Sequence, residues 1–294
     1  MTHATGQLRS YLNLMTLNDL PPHSTGPATR DPEPLFEAIR QAGYQGVQFT
    51  DPATPAQQAA CVRLGLGQAG SGRVNLPAEA EPLALRFRDE GLECATLHLG
   101  WGMEDDDQAA RLIDAVLSAS ARHQIPLYVE THRATIFQDL WRTVQFIRRF
   151  PSLRFNGDFS HWYTGLEMVY GSFESKLAFI APVLGRVRFL HGRIGTPGSI
   201  QVDIGSGDPR AHPYVDHFRA LWTASFRGFL AAAEPGDYFL FVPELLSPRI
   251  YYALAAEHSD RWAQSLVLRR IAEECFAEAV ATASPAPAPR RDGA

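Results

Sequence analysis

Four residues able to ligate a metal or move a proton close four successive hydrophobic runs. Glu130 ends Pro-Leu-Tyr-Val-Glu, Asp158 ends Arg-Phe-Asn-Gly-Asp, His191 ends Arg-Phe-Leu-His and Glu244 ends Leu-Phe-Val-Pro-Glu. Each run precedes a segment of helical periodicity, and in parallel β/α proteins the C-terminal strand ends converge on one ligand-binding face. A lone Glu or Asp at a strand end is ordinarily a helix N-cap or a surface group; here the set carries the argument. An unpaired charge at such a place is costly, and a shared cation removes the penalty. Three carboxylates and an imidazole suit a hard or borderline divalent ion, manganese first, with magnesium, cobalt or zinc as alternatives. Such an ion holds two adjacent oxygens of a polyol or hydroxy-carbonyl and polarises the carbonyl. The neighbouring carbon then loses a proton more easily, through a metal-stabilised enediolate. Glu130 and Glu244, on opposite sides of the ring, are placed to act as base and acid. That chemistry is proton-transfer isomerisation or epimerisation.

Around this set lie further polar residues. His132 and Arg133 follow Glu130, and His161 and Trp162 follow Asp158. Arg193 comes two after His191, on the same strand face by parity, with Gln201 further along that loop. His98 closes an earlier run, in Leu-His-Leu-Gly-Trp. His161, Arg193, His98, His132, Trp162 and Gln201 form the expected substrate-binding set. Arg193 either holds a substrate oxygen or neutralises the carboxylates. Trp101 and Trp162 either stack on a sugar face or pack at the rim.

These residues need a scaffold, and eight strand-then-helix units supply it. The expected strands are Tyr11 to Leu17, Gly46 to Thr50, Leu64 to Ala69, Cys94 to His98, Pro126 to Glu130, Arg154 to Asp158, Val187 to His191 and Tyr238 to Glu244. The helical patterns between and after them cover Glu33 to Ala42, Pro55 to Arg63, Ala78 to Glu90, Asp107 to Arg122, Ile136 to Arg149, part of Gly165 to Leu184, Tyr214 to Ala233 and Ser259 to Val280. Short apolar runs alternating with longer 3.6-period segments indicate a parallel sheet. Eight units in one chain predict a (β/α)8 TIM barrel, which typically takes about 250 residues; an open doubly wound sheet is the alternative. The GxGxxG-spaced glycines of the stretch from Gly65 to Gly72 are not followed directly by a helix, so a flexible loop over the barrel mouth is expected there rather than a phosphate cradle.

With Glu130 facing the lumen, Tyr128 shares its face, while Leu127 and Val129 pack outward. The expected organisation is an N-terminal arm over 1–10, a catalytic barrel over 11–282 and a disordered Pro-Ala-rich tail over 283–294.

Bulk properties narrow the function classes. The 294 residues are 45% hydrophobic, enough for a sizeable core. A net charge of −5 disfavours nucleic acid as a partner. Three scattered cysteines suit reduced thiols in a cytoplasm. The first ten residues lack the apolar core of a signal peptide, and no run approaches the length of a membrane span. The expected partner is a small carbohydrate-like molecule, with no membrane and no nucleic acid.

The strings Val-Glu-Thr-His-Arg (129–133), Asp-Phe-Ser-His-Trp (158–162), His-Gly-Arg-Ile-Gly (191–195) with Gln201-Val202, and Pro-Glu-Leu (243–245) resemble the xylose isomerase-like TIM-barrel superfamily, the sugar phosphate isomerases/epimerases. The likeness extends from about Tyr11 to Val280. It implies metal ligation by Glu130, Asp158, His191 and Glu244, and a homodimer or homotetramer. In the ketose 3-epimerases of that group the first and last Glu are also the acid/base pair. A His three after the Asp and an Arg after the metal His hold substrate oxygens there. His161 matches in spacing, whereas Arg193 lies closer to its His than in those enzymes. A second Glu six residues after the first is replaced here by Ile136. Endonuclease IV, another member, needs an Asp-x-His pair after the strand-7 His and a His on strand 3. This chain has Asp203-Ile204-Gly205 and the neighbourhood of Gln68 at those places. On the same site, elimination after proton abstraction would make a lyase or C-glycoside-cleaving enzyme. A non-catalytic sugar-binding barrel is the reading from outside enzymology.

Overall fold

The computed structural model describes residues 6–253 and 258–283. Eight parallel strands close into a barrel in sequence order: β1 Gln7–Asn13, β2 Gly46–Gln48, β3 Gly67–Val74, β4 Cys94–Leu99, β5 Leu127–Glu130, β6 Phe155–Asn156, β7 Val187–Gly192 and β8 Tyr238–Pro243. β1 pairs with β8 and seals the cylinder. Among the described residues the surrounding helices are α1 Pro32–Gln41, α2 Pro55–Leu64, α3 Ala80–Asp89, α4 Asp106–His123, α5 Leu140–Arg149, α6 Phe159–Gly165, α7 Phe173–Leu184, α8 Tyr214–Leu230 and α9 Arg261–Thr282. This is the (β/α)8 barrel expected from the eight units. No described helix is long and apolar enough to cross a membrane. The tail from residue 284 onward lies outside the described residues.

Local chemistry sets many boundaries. Thr54 with Gln57 and Asp105 with Gln108 form capping boxes that start α2 and α4. The expected first strand, Tyr11 to Leu17, is displaced: β1 ends at Asn13, whose side chain accepts the Met15 N–H at 2.9 Å and turns Leu14–Leu17 into a 3-10 turn. The helix expected within Gly165 to Leu184 is α7, and a short additional helix, α6, precedes it because Asp158 caps one directly after β6.

The largest departure is β3. Leu64 ends α2, Gly65 is its left-handed C-cap (φ 65°), and the glycine-rich stretch is barrel strand rather than mouth loop. The glycines there serve packing. A Cβ on Gly67 would stand 1.8 Å from Tyr11 Oη in the lumen, and one on Gly70 2.6 Å from Leu92 on the outer face. Strand periodicity is unreadable where the inward and outward residues carry no side chain.

Strand alternation divides the apolar residues. Leu97, Val129, Phe155, Leu190 and Phe239 face the helices. Tyr11, Ala69, Cys94, Phe189, Leu240 and Val242 fill the lower lumen, with Tyr128 packed on them. Leu127 also joins the outer core, so the expected parity of β5 holds. The lower lumen is a plug, so any ligand must bind above it.

One close approach supports a stability prediction. A Cβ on Gly228 of α8 would stand 2.4 Å from Gly185 Cα, a backbone atom just past α7. Gly228→Ala gains about 1 kcal/mol of helix propensity, but overpacking costs about 1–3 kcal/mol where neither wall can rotate away. A net loss of about 1 kcal/mol or more is expected in urea unfolding.

Candidate metal centre

Above the apolar plug the same alternation turns polar. Asn13 follows Tyr11 by two, Thr96 follows Cys94, Glu130 follows Tyr128, His191 follows Phe189 and Glu244 follows Val242. Gln48 and Asn156 end β2 and β6. The site is therefore a continuation of the strand faces that build the lower lumen.

Glu130, Asp158 and His191 bring one ligand atom each within 4.8 Å of one another. Glu244 joins through His191, its Oε2 standing 3.5 Å from His191 Nδ1. Glu130 Oε2 is also 3.5 Å from that nitrogen. The other ring nitrogen, Nε2, is 3.0 Å from Gln48 Oε1, which accepts from Asn13 Nδ2 as well. Gln48 thus takes the Nε2 hydrogen and leaves Nδ1 facing the carboxylates. The Asn156 amide nitrogen lies 2.8 Å from Thr96 Oγ1, 3.1 Å from Glu130 Oε2 and 3.0 Å from His191 Nδ1. Two amide hydrogens cannot serve three acceptors, so the Nδ1 position is the one a proton or a cation takes. Two carboxylate oxygens and an oriented imidazole fit a divalent ion of the manganese or magnesium type.

Arg193 is the internal counter-cation. It is 1% exposed, pairs with Asp158 Oδ2, lies 3.3 Å from Glu244 Oε2 and donates from Nε to Ser160 Oγ at 3.0 Å. Its Nη1 is buried without a hydrogen-bond partner. Asp158 accepts the Ser160 N–H at 3.1 Å, so this carboxylate is at once a helix cap and a site residue. Asn13 Nδ2 donates to Glu244 Oε1 at 2.9 Å.

The histidines pack as a row beside these acids. His161 Nε2 is 3.5 Å from Asp158 Oδ2 and 3.2 Å from Arg193 Nη2. His132 stacks 3.7 Å from the His161 ring and 4.2 Å from the His98 ring. His98 Nε2 lies 3.2 Å from Glu130 Oε2. His98, Glu130 and His132 form a second group whose ligand atoms lie within 4.8 Å.

Burial and neighbours drive these groups apart. Burial alone would raise Glu130, yet His98 and His191 hold it well below the usual carboxylate range. Glu244 is raised, burial outweighing His191 and Arg193. His191 is pushed down by burial, but Glu244 and Glu130 lift it to about 9. Burial lowers His132 to about 4. His161 also falls, through burial and then the neighbouring His132 and Arg193.

Not every expected site residue reaches the cavity. Its volume is about 360 Å³, and Glu130, His191, Glu244, Arg193, His98 and His132 are in its wall. Trp162 is a correction: it is fully buried in the outer core, its indole N–H donating to the Phe137 carbonyl at 2.8 Å. Gln201 is another. Both ends of its amide bind the Leu246 backbone, at 3.1 and 2.8 Å, so it ties the loop after β7 to that after β8. Asn13, Gln48, Thr96, Asn156 and Ser160 were missed, being neutral. The strand parity of Asn13 and Thr96 relative to Tyr11 and Cys94 was the available signal. Tyr252, whose ring lies 5.3 Å from the Arg193 guanidinium, had no such signal.

No family model matches this chain, and no curated protein matches it in sequence. Solved structures do. A xylose isomerase-like TIM barrel protein from Mycobacterium smegmatis, in complex with magnesium, superposes with a TM-score of 0.57 at 15% identity, covering 94% of this chain and 100% of that one. A D-tagatose 3-epimerase-like protein gives 0.56 at 9% identity, covering 92% and 99%. Endonuclease IV from Thermus thermophilus gives 0.50 at 16% identity, covering 90% and 99%. The chain thus has the fold of the xylose isomerase-like TIM barrels, on which different reactions are carried out. The fold leaves the reaction open, and only the chemistry of the site can decide it.

Proposed function

We propose that this protein is a divalent-metal-dependent isomerase or epimerase that moves a proton on a sugar, sugar acid or related polyol. The observation that carries the reading is the pair Glu130 and Glu244, each 3.5 Å from His191 Nδ1 and both in the cavity wall. Two carboxylates flanking one metal-binding imidazole suit a base and an acid at one centre. Glu130, Asp158, His191 and Glu244 would hold the ion, with manganese preferred for its tolerance of imidazole beside carboxylate. When bound, the ion supplies Lewis-acid polarisation to a hydroxy-carbonyl. Glu130 and Glu244, on either side of His191, would serve as the base and acid that take a proton from the substrate carbon and return one. Arg193, in the cavity wall, would orient a substrate oxygen, with His161 behind it holding Asp158 and Arg193 in place.

Metal analysis of the purified protein is expected to find about one equivalent of divalent ion. Incubation of the manganese-loaded protein in D2O with ketoses and sugar acids should incorporate deuterium at carbon, alongside formation of an isomer by NMR. Release of water or another leaving group would replace this reading with a lyase. Bound metal with no exchange across the panel would sink the enzymatic reading.

A further inference from the structure

Arg73 touches the carboxylate–histidine network only through His98. It lies near the end of β3 and lines the cavity. Its guanidinium stacks over Trp101 at 4.0 Å, donates from Nη1 to Gly100 O at 2.7 Å, and places Nη2 3.2 Å from His98 Nδ1. A guanidinium only donates, so His98 accepts at Nδ1 and turns an Nε2–H toward Glu130. This uses two of five N–H groups, and each anchor is neutral. Among the described residues no carboxylate forms an ion pair with Arg73.

The charge balance sharpens the point. Glu130, Asp158 and Glu244 are offset by Arg193 together with one divalent ion. Arg73 is then a positive charge without an ion-pair partner, half-buried on the cavity wall, with Glu130 and Glu104 acting on it only from beyond ion-pair distance. Uncompensated charge in a partly dry site is unfavourable, and a ligand of opposite sign relieves it.

Resting on the metal-dependent reading above, we propose that Arg73 receives a carboxylate of the substrate, so that the substrate is a hydroxy-carbonyl acid of the sugar-acid class rather than a neutral sugar. One surplus charge matches a monoanion. A planar carboxylate also suits the free edge of a guanidinium. A phosphate dianion would leave a negative charge unmatched.

The test compares gluconate with glucitol, which differ in carboxylate against hydroxymethyl, by calorimetry on the magnesium-loaded protein. Gluconate is expected to bind at least about tenfold more tightly, the worth of one well-placed charged contact. Arg73→Gln should erase that gap while leaving magnesium affinity within about twofold, and Arg73→Lys should keep part of it. Equal binding of the two ligands overturns the proposal, as does a gap that survives Arg73→Gln. Glucitol 6-phosphate binding more tightly than gluconate, dependent on Arg73, overturns it in favour of phosphate. Absence of magnesium binding would instead strike the metal reading. The gluconate comparison run without magnesium would then still support or overturn the Arg73 subsite.

Discussion

Glu130→Gln is expected to lower turnover by about 10⁴-fold, the upper range for one acid–base group, since Glu130 serves as ligand and base together. The substitution keeps shape and removes charge. Glu130 is 2% exposed and receives Thr96 at 3.3 Å and Asn156 at 3.1 Å, contacts an amide oxygen can also accept. The fold should therefore survive, with an unchanged far-UV circular dichroism spectrum. The rise in Tm that manganese is expected to give wild type should disappear, because one of the three closest ligand atoms has lost its charge. Turnover within tenfold of wild type would remove Glu130 from the chemistry.

Arg193→Met is expected to destabilise the cation-free protein by about 3–5 kcal/mol, the cost of breaking a buried ion pair from one side. Asp158 and Glu244 would lose their shared guanidinium while Asp158 remains fully buried. In a chain of this size Tm should fall by about 2 °C or more for each kcal/mol. A divalent ion binds the same carboxylates, so manganese should rescue the variant more than it stabilises wild type. Urea unfolding with and without manganese measures both. A loss below about 1 kcal/mol without manganese would show that Arg193 does not carry this charge balance.

The residues that converge on the cavity and those that do not are separated by local geometry. Glu130, His191 and Glu244 were legible because each ends or just follows a strand whose inward face is set by period-two alternation. Trp162 was misassigned because it neighbours His161 in sequence; successive residues of a helix point about 100° apart, and that turn carries it into the outer core. Gln201 sits in a loop, where no periodicity announces direction. β3 was misread because glycine leaves no hydrophobic pattern, and with it the inward placement of Arg73 was lost.

The order of residues alone determined the eight-unit β/α rhythm and three carboxylates with an imidazole at consecutive strand ends. Those signals are local, since strand and helix periods repeat within a few residues. Barrel closure decided the rest. It sets Asn13 against Glu244, 231 positions away, and Gln48 against His191, 143 away. It also joins Asp158 and Glu244 through Arg193, and leaves Arg73 among neutral partners. Which charges are paired and which stand alone depends on distances across the lumen, and those exist only once β1 has closed on β8.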